Sequence, residues 1–147
     1  MMEVNTLKQF GEIKVSEVMI YDPLYFTTPE EKISATELLM LRKKIGGLPV
    51  VDNSKNKLLI GIITQRDIRL ARFAVALESP KTTIKDLMTP EPIVLYKDDT
   101  IMDALDKFFK YNIERLPVVA DKDNELIGLV IQNTILHLLH SMLLKNL

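Results

Sequence analysis

Apolar residues in this chain fall into short blocks of two kinds, and the order of the blocks is repeated. Ile33, Leu38, Leu39 and Leu41 recur at helical spacing, and Thr28-Pro29-Glu30-Glu31 ahead of them reads as a helix start with Thr capping and Pro at the first helical position. Leu48-Pro49-Val50-Val51 is a compact apolar run that predicts a short buried strand, with Pro49 at its start or on an edge because proline cannot donate to a ladder. Asp52-Asn53-Ser54-Lys55-Asn56-Lys57 is dense in turn formers, and Leu58 to Ile63 resumes an apolar run too continuous for a surface strand. The two runs predict a hairpin-like pair. From Gln65 the spacing turns helical through Ile68, Leu70, Phe73 and Val75, until Ser79-Pro80 breaks it.

The second half gives the same signals. Asp98 or Asp99 is placed to cap a helix carrying Ile101, Ala104, Leu105 and Phe108, followed by a strand from Leu116 to Val119, a turn at Asp121 to Asn124 and a strand from Glu125 to Ile131. Ile45-Gly46-Gly47-Leu48-Pro49-Val50-Val51 returns as Ile113-Glu114-Arg115-Leu116-Pro117-Val118-Val119, 68 positions later. Val18-Met19 anticipates Leu87-Met88, and Ile60-Gly61-Ile62 anticipates Ile127-Gly128-Leu129. A period near half the chain points to a duplicated unit related by a pseudo-two-fold axis, since a solenoid needs at least ~3 shorter copies. The expected fold class is mixed α/β (α+β), with a small sheet and packed helices in each repeat. A last helix, Ile135 to Leu144, is apolar on more than one face and calls for cover from the other repeat or another subunit.

With 147 residues, 47% of them hydrophobic, the chain can bury a core without metal or disulfide. Zero Cys excludes thiolate catalysis and Cys-type zinc sites, and suits a reducing cytoplasmic setting. A net charge of −1 supplies no global field for nucleic acid. Arg66 to Arg72 is the densest basic stretch, but its alternating apolar residues read as an amphipathic helix with a wet face. No export signal opens the sequence, and every apolar stretch is interrupted before membrane-spanning length.

The doubled Val/Leu-Met, the doubled Leu-Pro-Val-Val and the segment Gly61-Ile62-Ile63-Thr64-Gln65-Arg66-Asp67 resemble the cystathionine β-synthase (CBS) domain family. Members pair two copies into a Bateman module. On this resemblance residues 1–14 are an N-terminal extension, 15–78 the first repeat, 79–83 a linker, 84–140 the second repeat and 141–147 the end of the C-terminal helix. The resemblance implies a non-catalytic sensor that binds AMP, ADP, ATP or S-adenosylmethionine in a cleft between repeats, needs no cofactor, and acts as a homodimer on an unknown protein target. It gives Asp67 the ribose hydroxyls and Thr64 the phosphate, at the positive end of a helix. Arg66 adds charge there. Arg115 occupies a position from which relatives send an Arg to phosphate, while Gly46 and Gly47 let the backbone approach adenosine. Thr89, Pro92 and Ile93 supply the adenine wall.

The second repeat departs from that signature, with Ile131, Asn133 and Thr134 where Thr64, Arg66 and Asp67 stand, so one competent site is expected. Plainer readings run alongside. Thr64 and Asp67 also make an ordinary capping pair. Arg115 fits a solvated ion pair, and Phe73, Phe108, Phe109 and the methionines fit core and interface packing. His137 and His140 share a helix face without a third ligand. A ligand-free interaction module is the main alternative. A small nucleotide-acting enzyme is the other, and it lacks any visible nucleophile–base pair.

Overall fold

The computed structural model of the chain describes residues 4–74, 81–121 and 123–145, so Val75, Ser79-Pro80 and Lys122 lie outside the described residues. The elements run α1 (Val4–Glu12), a 3₁₀ turn (Val15–Glu17), α2 (Ile33–Lys43), β1 (Gly47–Val51), β2 (Leu59–Thr64), α3 (Gln65–Phe73) and α4 (Ile84–Leu87). They continue with β3 (Thr89–Pro90), β4 (Leu95–Tyr96), α5 (Ile101–Tyr111), β5 (Arg115–Val119), β6 (Leu126–Ile131) and α6 (Gln132–Lys145). These elements divide between two units. Tyr25–Pro92 forms a central unit, and the described residues up to Leu24 join Ile93 onward in a terminal unit.

In the central unit β1, β2 and β3 form an antiparallel sheet in that order. β1 is buried throughout and β2 alternates, as expected of a hairpin with one face on the core. Met40, Leu48, Val50, Ile63, Ile68 and Ile84 close that core. Pro49 sits mid-strand, but its carbonyl accepts from Thr27 N–H at 3.0 Å, and a strand residue turns its N and its C=O to the same side. The missing donor therefore faces the lone bridge at Thr27 and costs the β1–β2 ladder nothing.

The terminal unit repeats the plan: β4 runs parallel to β5, β5 pairs antiparallel with β6, and the register shifts at Val118/Val119 as it does at Val50/Val51. Phe10 of α1 joins its core with Leu95, Ile101, Phe108, Leu116, Val130 and Ile135.

The duplicated Val/Leu-Met segments are exchanged between the two sequence repeats, each lying within the unit it packs against. Ile20 pairs with Leu129 through reciprocal 2.8 and 3.0 Å bonds, which places Val18-Met19, the start of the first repeat in sequence, on the sheet of the second. Thr89, after Leu87-Met88, pairs with Ile62 of the first. The glycines make room for this. A Cβ at Gly61 would lie 2.8 Å from Met88 Sδ, and one at Gly128 would lie 2.8 Å from Met19 Cγ. Both doubled motifs therefore belong to one packing device, used twice.

Two expected helix starts are corrected. α2 begins at Ile33, with Lys32 extended before it, and not at Thr28-Pro29. The carbonyls of Pro29 and Glu31 accept from Lys85 and Ile84 at 3.0 and 2.9 Å, so the segment is laddered to α4 and cannot coil. α5 is capped by Thr100 with Asp103, while Asp99 accepts from Tyr96 N–H in the preceding turn. Of the aromatic residues read as packing, Phe108 is buried, whereas Phe73 and Phe109 are both 79% exposed in the single chain.

Candidate functional site

The β2–α3 junction gathers five of the expected residues, Gly46, Gly47, Thr64, Arg66 and Asp67. Thr64 ends β2 in extended conformation (φ −122°, ψ 162°), and α3 begins at the next residue. Thr64 Oγ1 accepts from Asp67 N–H at 3.2 Å, while Asp67 Oδ2 accepts from both the Thr64 N–H and its hydroxyl at 2.9 Å. This is a full capping box. Gln65 N–H donates to Gly46 O at 2.9 Å, and Gly47 pairs with Thr64 across the sheet. Gly46, Gly47, Thr64, Arg66 and Asp67 thus share one end of the central sheet.

What remains free at that end decides its chemistry. Both cap bonds fall on Oδ2, so Oδ1 of the half-buried Asp67 takes no hydrogen bond among the described residues. The Arg66 N–H in the first helical turn is likewise without an acceptor among them, and its side chain is exposed. An acceptor beside an amide at the positive end of a helix suits a ligand carrying both hydroxyls and an anion. Thr89 lies beside Ile62 on the neighbouring strand, and Pro92 follows in the same unit.

Arg115 and Ile93 belong to the terminal unit. Arg115 opens β5 opposite Ile131, with its side chain 24% exposed and Glu114 3.7 Å away. It stands at the rim of a cavity of about 520 Å³ between α5 and α6. Its equivalent, Gly47, lies opposite Thr64 in the same register, so the guanidinium sits on the sheet whose signature is changed. There Gln132 N–H donates to Glu114 O at 3.1 Å, repeating the Gln65–Gly46 bond, but among the described residues no carboxylate caps α6.

The Thr-x-x-Asp box also recurs at Thr83/Asp86 and Thr100/Asp103, where it starts α4 and α5. In this chain the pattern is first a helix-start device. The sequence carried the Thr100 cap in plain view through that spacing. Sequence reasoning missed a buried pair as well, Thr27 and Thr36 of α2, whose hydroxyls bond at 3.0 Å.

A profile of the CBS domain matches residues 15–73 and 84–141. The chain belongs to the CBS domain family. Among solved CBS pairs, CBSX2 of Arabidopsis thaliana in complex with AMP superimposes with a TM-score of 0.77 at 27% identity, covering 88% of this chain and 98% of that one. The CBS pair of protein MJ0100, in complex with 5′-methylthioadenosine and S-adenosyl-L-methionine, gives 0.76 at 28% identity, covering 88% and 97%. Inosine-5′-monophosphate dehydrogenase of Staphylococcus aureus is 36% identical over 120 residues, 81% of this chain. The chain spans 23% of that enzyme's length, and of other curated relatives matching equally well. No described helix is long and apolar enough to cross a membrane.

Proposed function

We propose that this CBS pair is a non-catalytic regulatory module that binds an adenosine ligand, of the kind of AMP, ADP, ATP or S-adenosylmethionine, at a single principal site. Thr64, Arg66 and Asp67 hold ribose and phosphate, and Gly46, Gly47, Thr89, Pro92 and Ile93 meet the nucleoside. Arg115 supplies the phosphate with a cation. The module works as a cytoplasmic homodimer and passes occupancy to a protein target, by as much as the ligand prefers one state over another. The observation that carries this reading is the open Asp67 Oδ1 beside the free Arg66 N–H at the start of α3. The ligands bound by CBSX2 and MJ0100 support the chemical class.

Calorimetry with AMP, ATP, S-adenosylmethionine and adenosine tests it. One site per chain is expected, and Arg115→Ala should cost ~1.5–3 kcal/mol for phosphate-bearing ligands and much less for adenosine. Absence of heat with all four compounds defeats the ligand claim.

A second reading is a ligand-free interaction module. It is favoured by the recurrence of the same capping box at helix starts to which no ligand is assigned. Asp67→Asn separates the two, because an amide oxygen can keep the cap while the charge is lost. Loss of nucleotide heat with an unchanged melting temperature supports the sensor; partner assembly in the complete absence of nucleotide binding supports the alternative.

A further inference from the structure

The two units differ in what lies between their paired helices. In the central unit Arg72 of α3 and Glu37 of α2 form an ion pair that bridges the helices. The repeat offsets, 68 positions from Leu48 to Leu116 and 67 from Gly61 to Gly128, carry those residues to Leu105 of α5 and Leu139 of α6. Both leucines line the cavity of about 520 Å³, which lies wholly in the terminal unit. Where one repeat has a polar bridge, the other has an apolar hollow.

That hollow has unlike ends. Buried Phe10, Phe108 and Ile135 form its floor, and exposed Phe109 and Leu136 stand at its mouth. Its polar walls come from one junction, where Glu114 and Arg115 enter β5 beside Gln132 and Asn133 at the start of α6. From Asn133 to Leu139 a helix rises about 9 Å, which separates the polar end from the apolar one. Arg115 stands where the central unit has Gly47, and Thr134 where it has Asp67, so this end has gained a cation and lost the carboxylate that caps α3. The Arg115 side chain is 24% exposed, and Glu114, 3.7 Å away and itself 70% exposed, is its charged partner among the described residues. An exposed partner at that distance contributes little. A largely desolvated cation beside the positive end of a helix calls for an anion.

We propose that this cavity binds an amphipathic carboxylate, a molecule with one carboxylate head and an apolar body of one or two rings or a short acyl chain. The head meets Arg115 and the start of α6, since a carboxylate accepts from a guanidinium through two parallel bonds. The body lies between Leu105 and Leu139 over the Phe108 ring, where an aromatic floor favours a flat occupant. The volume falls within the range of about 300–1,000 Å³ usual for small-molecule sites. The inference uses the terminal unit alone and rests on nothing about the adenosine ligand; Arg115 is the residue the two readings share.

The test is titration of the full chain with 2-naphthoate and its neutral analogue 2-naphthamide, followed through the leucine methyl signals by NMR. Naphthoate should shift the methyls of Leu105 and Leu139 and saturate at one site per chain. Arg115→Ala should weaken naphthoate by about tenfold to a hundredfold and leave naphthamide unaffected. Leu105→Glu combined with Leu139→Arg rebuilds the central unit's ion pair inside the hollow and should abolish naphthoate binding, with the fold checked by circular dichroism. If that double variant does not fold, the methyl shifts of the unaltered chain decide alone. Naphthoate that leaves both methyls unmoved overturns the cavity assignment, and equal binding of naphthoate and naphthamide overturns the charged head. Naphthoate can bind where adenosine compounds give no heat, and the reverse, so the two readings fall separately.

Discussion

At the level of single residues the sequence and the backbone disagree most usefully at Lys44. It ends α2 in the left-handed region (φ 56°), and Asn112 ends α5 in the same way (φ 51°). Cβ crowds the following carbonyl in both, but the short polar side chain of Asn bonds locally to the backbone and offsets that cost, whereas Lys has no such compensation. Lys44→Gly should therefore stabilise the chain by roughly 0.5–1 kcal/mol, read from urea denaturation, although it deletes side-chain atoms. Asn112→Gly should change little. Neither helix end was legible from hydrophobic spacing, which says where apolar side chains face and nothing about the sign of φ. Asp67 was legible as a residue, but its meaning was not. Its Thr-x-x-Asp spacing is shared with Thr83/Asp86 and Thr100/Asp103, whose bonds also fall on a single carboxylate oxygen, and only its place at the end of β2 beside Gly46 and Gly47 sets it apart.

Among elements, the strands were the easiest to read, since β1, β2, β5 and β6 each coincide within a residue with an unbroken apolar run. Helix starts were read worse, because the Pro29 and Glu31 carbonyls are held by a segment more than fifty positions away in sequence. The exchange of the Val/Leu-Met segments is of the same kind: the doubled motifs announced a repeat, but pairing partners are not written in a period. That exchange makes a direct prediction. Gly128→Ala forces a methyl into Met19, and Gly61→Ala forces one into Met88 and toward the Thr89 carbonyl 3.0 Å away. Each should cost ~1–3 kcal/mol. Gly128→Ala combined with Met19→Ala should lose less than the sum of the two singles, a coupling of ~0.5–3 kcal/mol in a double-mutant cycle. Additive losses would show that the glycine serves something other than the methionine.

For the molecule as a whole, the fold was recoverable because duplication prints the same pattern twice, and the proposed ligand contacts now make a test of how the two units share work. Asp67 and Thr64 belong to the central unit and Arg115 to the terminal one. A ligand that binds only the native state stabilises it by mass action, about 2.7 kcal/mol at a hundred times its dissociation constant, and for a chain of this size each kcal/mol raises the melting temperature by about 2–4 °C. AMP, with sugar hydroxyls for Asp67 and a phosphate for Arg115, should slow amide exchange both at residues 62–67 and at residues 113–117. Adenosine at matched saturation should protect the first stretch alone. Arg115→Ala should erase the second protected stretch with AMP and leave the first in place. If AMP protected only residues 62–67 in the unaltered chain, the guanidinium would have no part in the phosphate contact, and the site would reduce to the acidic helix start of one repeat.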